Sequence, residues 1–201
     1  TGREAFARYI HSLSPRAGGP FIALSAGSIT DESAAATLYG AEHAGAVRKG
    51  LLEQAERGVL FINELGDLSP TVQRLLFAAL DTGSFTRQGG TSPVNCDVRM
   101  ICSAQPGFES RGIEPFRQDL LSQLNVLSLR VPPLRDYAED VPELLRYYVD
   151  RLVDDQRLPF RRFSVAAQNR LRNYPWPGNM RELKNLVHRL LIGGGTDDIR
   201  L

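Results

Sequence analysis

Gly58-Val59-Leu60-Phe61-Ile62-Asn63-Glu64-Leu65-Gly66-Asp67 is an apolar run of strand length that ends on two polar residues and a turn. It predicts a buried strand delivering Asn63 and Glu64 to the edge of a sheet. Two carboxylates in that place would suit nucleoside-triphosphate hydrolysis, the first organising Mg²⁺ and the second polarising an attacking water. Here the first position is an amide, and Glu64 alone keeps its charge. Taken by themselves, Asn63 also reads as a strand cap and Glu64 as a solvated strand-end acid.

The elements that must position these residues alternate along the first two thirds of the chain. Ala5 to Leu13 sets Phe6, Ile10 and Leu13 at helical spacing, and Phe21 to Leu24 is a short apolar strand beyond the turn Pro15 to Pro20. Leu51 to Ala55 predicts a short helix. Ser69-Pro70 starts another that runs to about Leu80, with Val72, Leu75, Leu76, Ala79 and Leu80 facing inward. Val98 to Cys102 and Val126 to Val131 supply two more strands. This alternation predicts an α/β fold, a three-layer sandwich on a mostly parallel sheet.

After Pro132-Pro133 the pattern is helical over Val141 to Leu152, Ser164 to Asn173 and Asn179 to Ile192, with no strand between. The expected division is an α/β subdomain over 1–136 and a helical lid over 137–201. Trp176, between two prolines, reads as a core anchor for the turn between the last two helices, and Arg157, Arg161 and Arg162 read as a solvated face.

The 24 basic and 23 acidic residues nearly cancel, so no global field draws nucleic acid. Cys96 and Cys102 make no metal-ligand spacing with each other or with His11, His43 and His188; they read as reduced structural cysteines, and no metal-ligand cluster is expected. No apolar run approaches the roughly 20 residues that cross a bilayer, and the start is unlike a signal peptide. A cytoplasmic protein without membrane contact is the expectation.

A longer series of segments carries a family resemblance: Thr1-Gly2-Arg3-Glu4, Leu38-Tyr39-Gly40, Gly58 to Asp67, Phe85 to Gly90, Asp97-Val98-Arg99, Phe116 to Leu120, Pro132 to Arg135 and Trp176 to Leu183. Together, and in this order, they resemble the central AAA+ domain of sigma-54-dependent transcriptional activators, response regulators of the NtrC family with an NtrX-like character. The resemblance implies a P-loop-type parallel sheet followed by a helical lid. It also implies ATP or ADP as cofactor with weakly held Mg²⁺, self-assembly as a ring or dimer, and DNA contact through a domain outside this chain.

Position by position, the resemblance places Gly2, Arg3 and Glu4 in the phosphate loop, with Arg3 where the family has lysine. Arginine keeps the charge, but its planar fork suits a tight loop poorly. Asn63 stands for the Mg²⁺-organising aspartate, Ser25 for the asparagine that gates the glutamate, and Gln105 for the sensor asparagine after the third core strand. Glu64 is implied as the catalytic carboxylate and Arg117 as the arginine finger, with Gln123 where a second arginine would stand. Arg181 matches the lid arginine that reaches bound nucleotide.

These departures imply an AAA+ domain that binds ATP with impaired hydrolysis. The alternatives are a fully active ATP-hydrolysing activator module and a nucleotide-independent oligomerisation scaffold. A DNA-binding domain in its own right is disfavoured by the neutral charge and the missing recognition helix. Members that drive the sigma-54 polymerase carry a Gly-Ala-Phe-Thr-Gly-Ala loop after Leu-Phe-Gly. Here only Ala44-Gly45-Ala46 matches, without the aromatic and the threonine, which argues against direct sigma-54 contact.

Overall fold

The structure, a computed structural model, describes residues 2–110, 116–193 and 198–199. Thr1, which opens the phosphate-loop motif, lies outside them. Two compact units are built on Arg3–Ser128 and on Leu129–Leu201.

The first unit runs α1 (Arg3–Ser12), β1 (Phe21–Ser25), α2 (Ala34–Leu38), β2 (Gly40–His43), β3 (Ala46–Lys49), α3 (Leu51–Gln54), β4 (Val59–Asn63), α4 (Pro70–Thr82), β5 (Ser84–Thr86), β6 (Pro93–Asn95), β7 (Arg99–Cys102) and α5 (Gln118–Leu124). β1, β4 and β7 form a parallel sheet in that order, with Ser25 level with Asn63 and Ile62 level with Cys102. β4 is flanked on both sides, which is why its run is apolar throughout; Val59 to Ile62 are each at most 1% exposed. α4 begins where the Ser69 hydroxyl accepts the Val72 N–H at 3.3 Å with Pro70 in the first turn, and it stops at Gly83, whose φ of 64° lies in the left-handed region. Of its predicted inner face, Val72, Leu76 and Ala79 are fully buried, and Leu75 and Leu80 pack against them.

α1 forms where helical spacing predicts it, but it shows the sheet another face. Phe6, Ile10 and Leu13 are 52%, 38% and 69% exposed, while Ala7 and His11 are buried. A histidine anchors the helix: its Nε2 lies 2.8 Å from the Arg16 carbonyl and its ring 5.5 Å from that of Phe21. Apolar spacing misses such an anchor because imidazole counts as polar. The strand expected over Val126 to Val131 is absent, and Val126, Leu127 and Leu129 are strongly exposed. Alternation makes a strand only beside a ladder partner, and this segment pairs with none of the described strands.

Between α2 and α3 the chain folds into a tight hairpin. β2 and β3 pair from Gly40↔Lys49 to His43↔Ala46, closed by Ala44 and Gly45 with φ of 49° and 82°. Positive φ at both central residues is the turn whose twist matches that of the flanking strands. Glu42 N–H donates to the Gln88 carbonyl at 2.9 Å and Gln88 N–H to the Gly40 carbonyl at 3.0 Å, tying the hairpin to the loop after β5. Gly40 permits the close approach of β3, because a Cβ there would lie 2.2 Å from the Arg48 carbonyl.

Arg87 fastens the same junction. Its Nε and Nη2 donate to the two Glu53 oxygens at 3.0 and 2.8 Å, and Nη1 reaches Glu42 at 3.3 Å. The Arg87 hydrogen bonds hold the Glu53 carboxyl below the usual carboxylate range. Its ion pair therefore stabilises the fold above the unfolded-state value of about 4.3 and loses that contribution as pH falls through the lower folded value. Arg87→Met is expected to lower Tm at neutral pH by about 5 °C or more, since Glu53 is left charged in a mostly covered place. The variant should also lose less stability than wild type on acidification. Parallel melting curves from pH 7 to pH 3 check both expectations, and superimposable curves would discount the junction.

The second unit contains α6 (Val141–Gln156), β8 (Arg162–Phe163), α7 (Val165–Arg172), α8 (Asn179–Ile192) and β9 (Asp198–Ile199). Its core joins Leu145, Val149 and Leu152 of α6 to Leu183, Val187 and Leu191 of α8. The expectation of a strandless bundle is corrected by the short parallel pair β8–β9, which buries Phe163 and Ile199. Two-residue strands leave no periodicity to detect. Trp176 is 1% exposed and donates its indole N–H to the Leu171 carbonyl at 2.9 Å, so it is the anchor its setting predicts. Arg161 departs from the solvated-face reading. It is buried, and its Nη1 donates at 2.5 Å to the Leu190 carbonyl, one of the last in α8.

Candidate functional site

Parallel strands present their carboxyl ends along one edge, the usual place for ligands in open α/β sheets. At that edge stand Ser25 at the end of β1, Asn63 at the end of β4 with Glu64 after it, and Ser103 and Gln105 after β7. Ser103 organises the group. Its hydroxyl donates to Asn63 Oδ1 at 2.7 Å and accepts the Glu64 N–H at 3.2 Å, while its carbonyl accepts the Leu65 N–H at 2.7 Å. These bonds hold Glu64 at φ 59° and ψ 64°, a left-handed conformation that costs a non-glycine residue about 1 kcal/mol or more.

The Glu64 carboxylate is engaged from two sides. Arg3 Nη2, at the start of α1, forms an ion pair with Oε1, and Gln105 Nε2 lies 3.5 Å from Oε2. The structure thus brings together four residues singled out from the sequence, Arg3, Asn63, Glu64 and Gln105, and adds Ser103. A lone serine after a strand carries no motif. Only the register that sets Cys102 beside Ile62 shows that the next residue faces the turn after Asn63.

The other predicted residues stand elsewhere. Glu4 points away from the group and pairs with Arg8 at 2.8 and 3.0 Å along the exposed side of α1. Gly2 has φ 59° and open space about its α-carbon. Arg117 precedes α5, where it forms an ion pair with Asp119 and lies over the Phe77 ring at 5.1 Å, while its backbone N–H donates to Gln73 Oε1 at 2.9 Å. The same pairing pulls the Asp119 carboxyl down to about 2. Gln123 sits beside Asp81 at 3.4 Å with its Oε1 buried and unpaired. Arg181 is exposed in the first turn of α8, in the second unit.

Cys96 and Cys102 are free, and burial pushes the Cys102 thiol up to about 12, so it is no nucleophile. Among the described residues no three His, Cys, Asp or Glu side chains gather as a metal cage, and no helix is long and apolar enough to cross a membrane.

Residues 1–130 match the family described as Sigma-54 interaction domain, and residues 135–201 match the AAA+ ATPase lid domain. The chain is 39% identical over 198 residues to the DNA-binding transcriptional regulator NtrC of Rhizobium meliloti, a match covering 94% of this chain and 40% of that protein. It is 39% identical over 194 residues to the HTH-type transcriptional regulatory protein TyrR of Salmonella typhimurium, covering 95% of this chain and 37% of the relative. Among solved structures, NtrX from Brucella abortus in complex with ATP matches with a TM-score of 0.88 at 35% identity, over 100% of this chain and 47% of that one. The chain therefore spans about two fifths of the length of the curated relatives it matches.

Proposed function

This chain belongs to the Sigma-54 interaction domain family, with an AAA+ ATPase lid domain behind it, and from that premise we propose that it binds ATP or ADP within a longer bacterial transcriptional regulator and hydrolyses ATP poorly. The observation that carries the reading is the strand-end group itself: Glu64 is retained, its neighbour is the amide Asn63, and Arg3 sits on the Glu64 carboxylate. The residues present suit a polyphosphate. Gly2 leaves room, the first turn of α1 offers backbone N–H groups, and Arg3 and Gln105 supply further donors. They suit Mg²⁺ poorly, because Asn63 offers a neutral oxygen that already accepts the Ser103 hydroxyl.

In this reading Gly2, Arg3 and the backbone N–H of Glu4 frame the phosphates and Glu64 positions the attacking water. Arg117 serves the nucleotide of a neighbouring copy. Arg117 must first leave Asp119, which is a further reason for slow turnover. Ring or dimer formation and nucleotide binding are then linked, since each site is completed by another subunit.

Calorimetric titration of the intact regulator with ATP and ADP, with and without Mg²⁺, tests the proposal. Binding is expected in both conditions, with Mg²⁺ improving affinity by less than about tenfold. Light scattering on the same samples should show mass rising with nucleotide. Absence of binding under every condition would favour the nucleotide-independent scaffold instead.

A further inference from the structure

We propose that Arg3 and Glu64 form a latch, in which Arg3 withholds the Glu64 carboxylate until a bound polyphosphate takes the guanidinium away. The proposal rests on the nucleotide reading above and adds a way in which the site is kept idle without ligand. Arg3 and Glu64 are 61 residues apart, and their ion pair joins the first turn of α1 to the turn after β4.

The backbone of Glu64 is fixed from several directions. Its N–H donates to Ser103 Oγ at 3.2 Å, its carbonyl accepts the Asp67 N–H at 2.9 Å, and the next N–H, of Leu65, reaches the Ser103 carbonyl at 2.7 Å. Only the carboxylate is left to change partners. Ser25 stands level with Asn63 on the neighbouring strand, while the Glu64 carboxylate is met by Arg3 and Gln105.

Both members of the pair are about a quarter exposed, at 26% and 27%, so an incoming anion can reach them. A guanidinium pairs in forked fashion with carboxylate and phosphate alike, and a polyphosphate at the head of α1 brings more negative charge than one carboxylate. While the latch is closed, the Glu64 oxygen nearest Arg3 is occupied and cannot orient a water. Once phosphate holds Arg3, that oxygen is free.

The test is calorimetric titration of a hydrolysis-resistant ATP analogue into the intact regulator as wild type, Glu64→Gln, Arg3→Met and the double variant. Glu64→Gln is expected to bind the analogue about two- to fivefold more tightly, because the ion pair no longer competes for Arg3. In the Arg3→Met background the same change should have no effect. In an Arg3→Lys background, where an ammonium replaces the guanidinium whose Nη2 meets Glu64 Oε1, it should give an intermediate gain. An equal gain in both backgrounds would mean only relief of charge repulsion and overturns the latch, as does no gain at all. Thermal unfolding of the same four proteins without ligand separates the failures. Coupling between Arg3 and Glu64 without analogue binding sinks the nucleotide reading and the release step with it. Analogue binding without coupling sinks the latch alone.

Discussion

Changing Asn63 to Asp and Arg3 to Lys in the same protein is expected to raise ATP turnover by about 10²-fold, the order of effect of restoring charge-stabilising groups at a phosphoryl-transfer site. Asn63 Oδ1 accepts the Ser103 hydroxyl at 2.7 Å. An aspartate in the same rotamer keeps that bond and presents an anionic second oxygen to Mg²⁺ and its waters. Lysine at position 3 keeps the positive charge for phosphate as a compact ammonium, which suits a tight loop better than the planar guanidinium. Asn63→Asp alone should show the gain mainly as stronger Mg²⁺-dependent binding. Phosphate release at saturating MgATP measures the double variant. Turnover unchanged from wild type would move the block to Gln105, Ser25 or the Arg117–Asp119 pair.

The other large effect is an absence of output. With purified sigma-54 polymerase, supercoiled promoter and ATP, the full-length regulator is expected to give no activator-dependent transcripts. A loop that engages a partner needs reach and an anchoring side chain. The hairpin has neither, being four residue pairs closed by Ala44 and Gly45 and tied at its base through Gln88 and Arg87. Val47 is its one large apolar side chain, and it is accompanied by Arg48 and Lys49, which stay hydrated. Such a regulator would act by DNA binding or by competing with other regulators. Strong transcripts that vanish when Ala44-Gly45-Ala46 is deleted would reverse this reading.

What the sequence reveals depends on whether the deciding interaction is local. β4 is legible because a strand covered on both faces must be apolar along its length, and that run leads straight to Asn63 and Glu64. α4 is legible because its start and stop, Ser69-Pro70 and Gly83, are written beside it. The engagement of Glu64 is not, since Arg3 lies 61 residues away and sequence states residue types without saying which will meet.

Ser103 is hidden for the same reason, its role being set by strand register alone. The buried face of α1 is not legible from its apolar spacing, because Ala7 and His11 form it. The segment Val126 to Val131 has a strand's alternation and no partner. Arg117 is an intermediate case: Asp119 is two residues away and readable as a partner, yet a family role for the arginine draws attention away from so plain a neighbour.

We propose above that this member of the family retains a nucleotide site in which hydrolysis is impaired. The most direct test is steady-state phosphate release by the intact regulator at saturating MgATP, measured beside a family member whose corresponding strand ends in Asp-Glu. A rate lower by about 10²-fold or more is expected. A rate equal to that of the comparison protein, and abolished by Glu64→Gln, would contradict it.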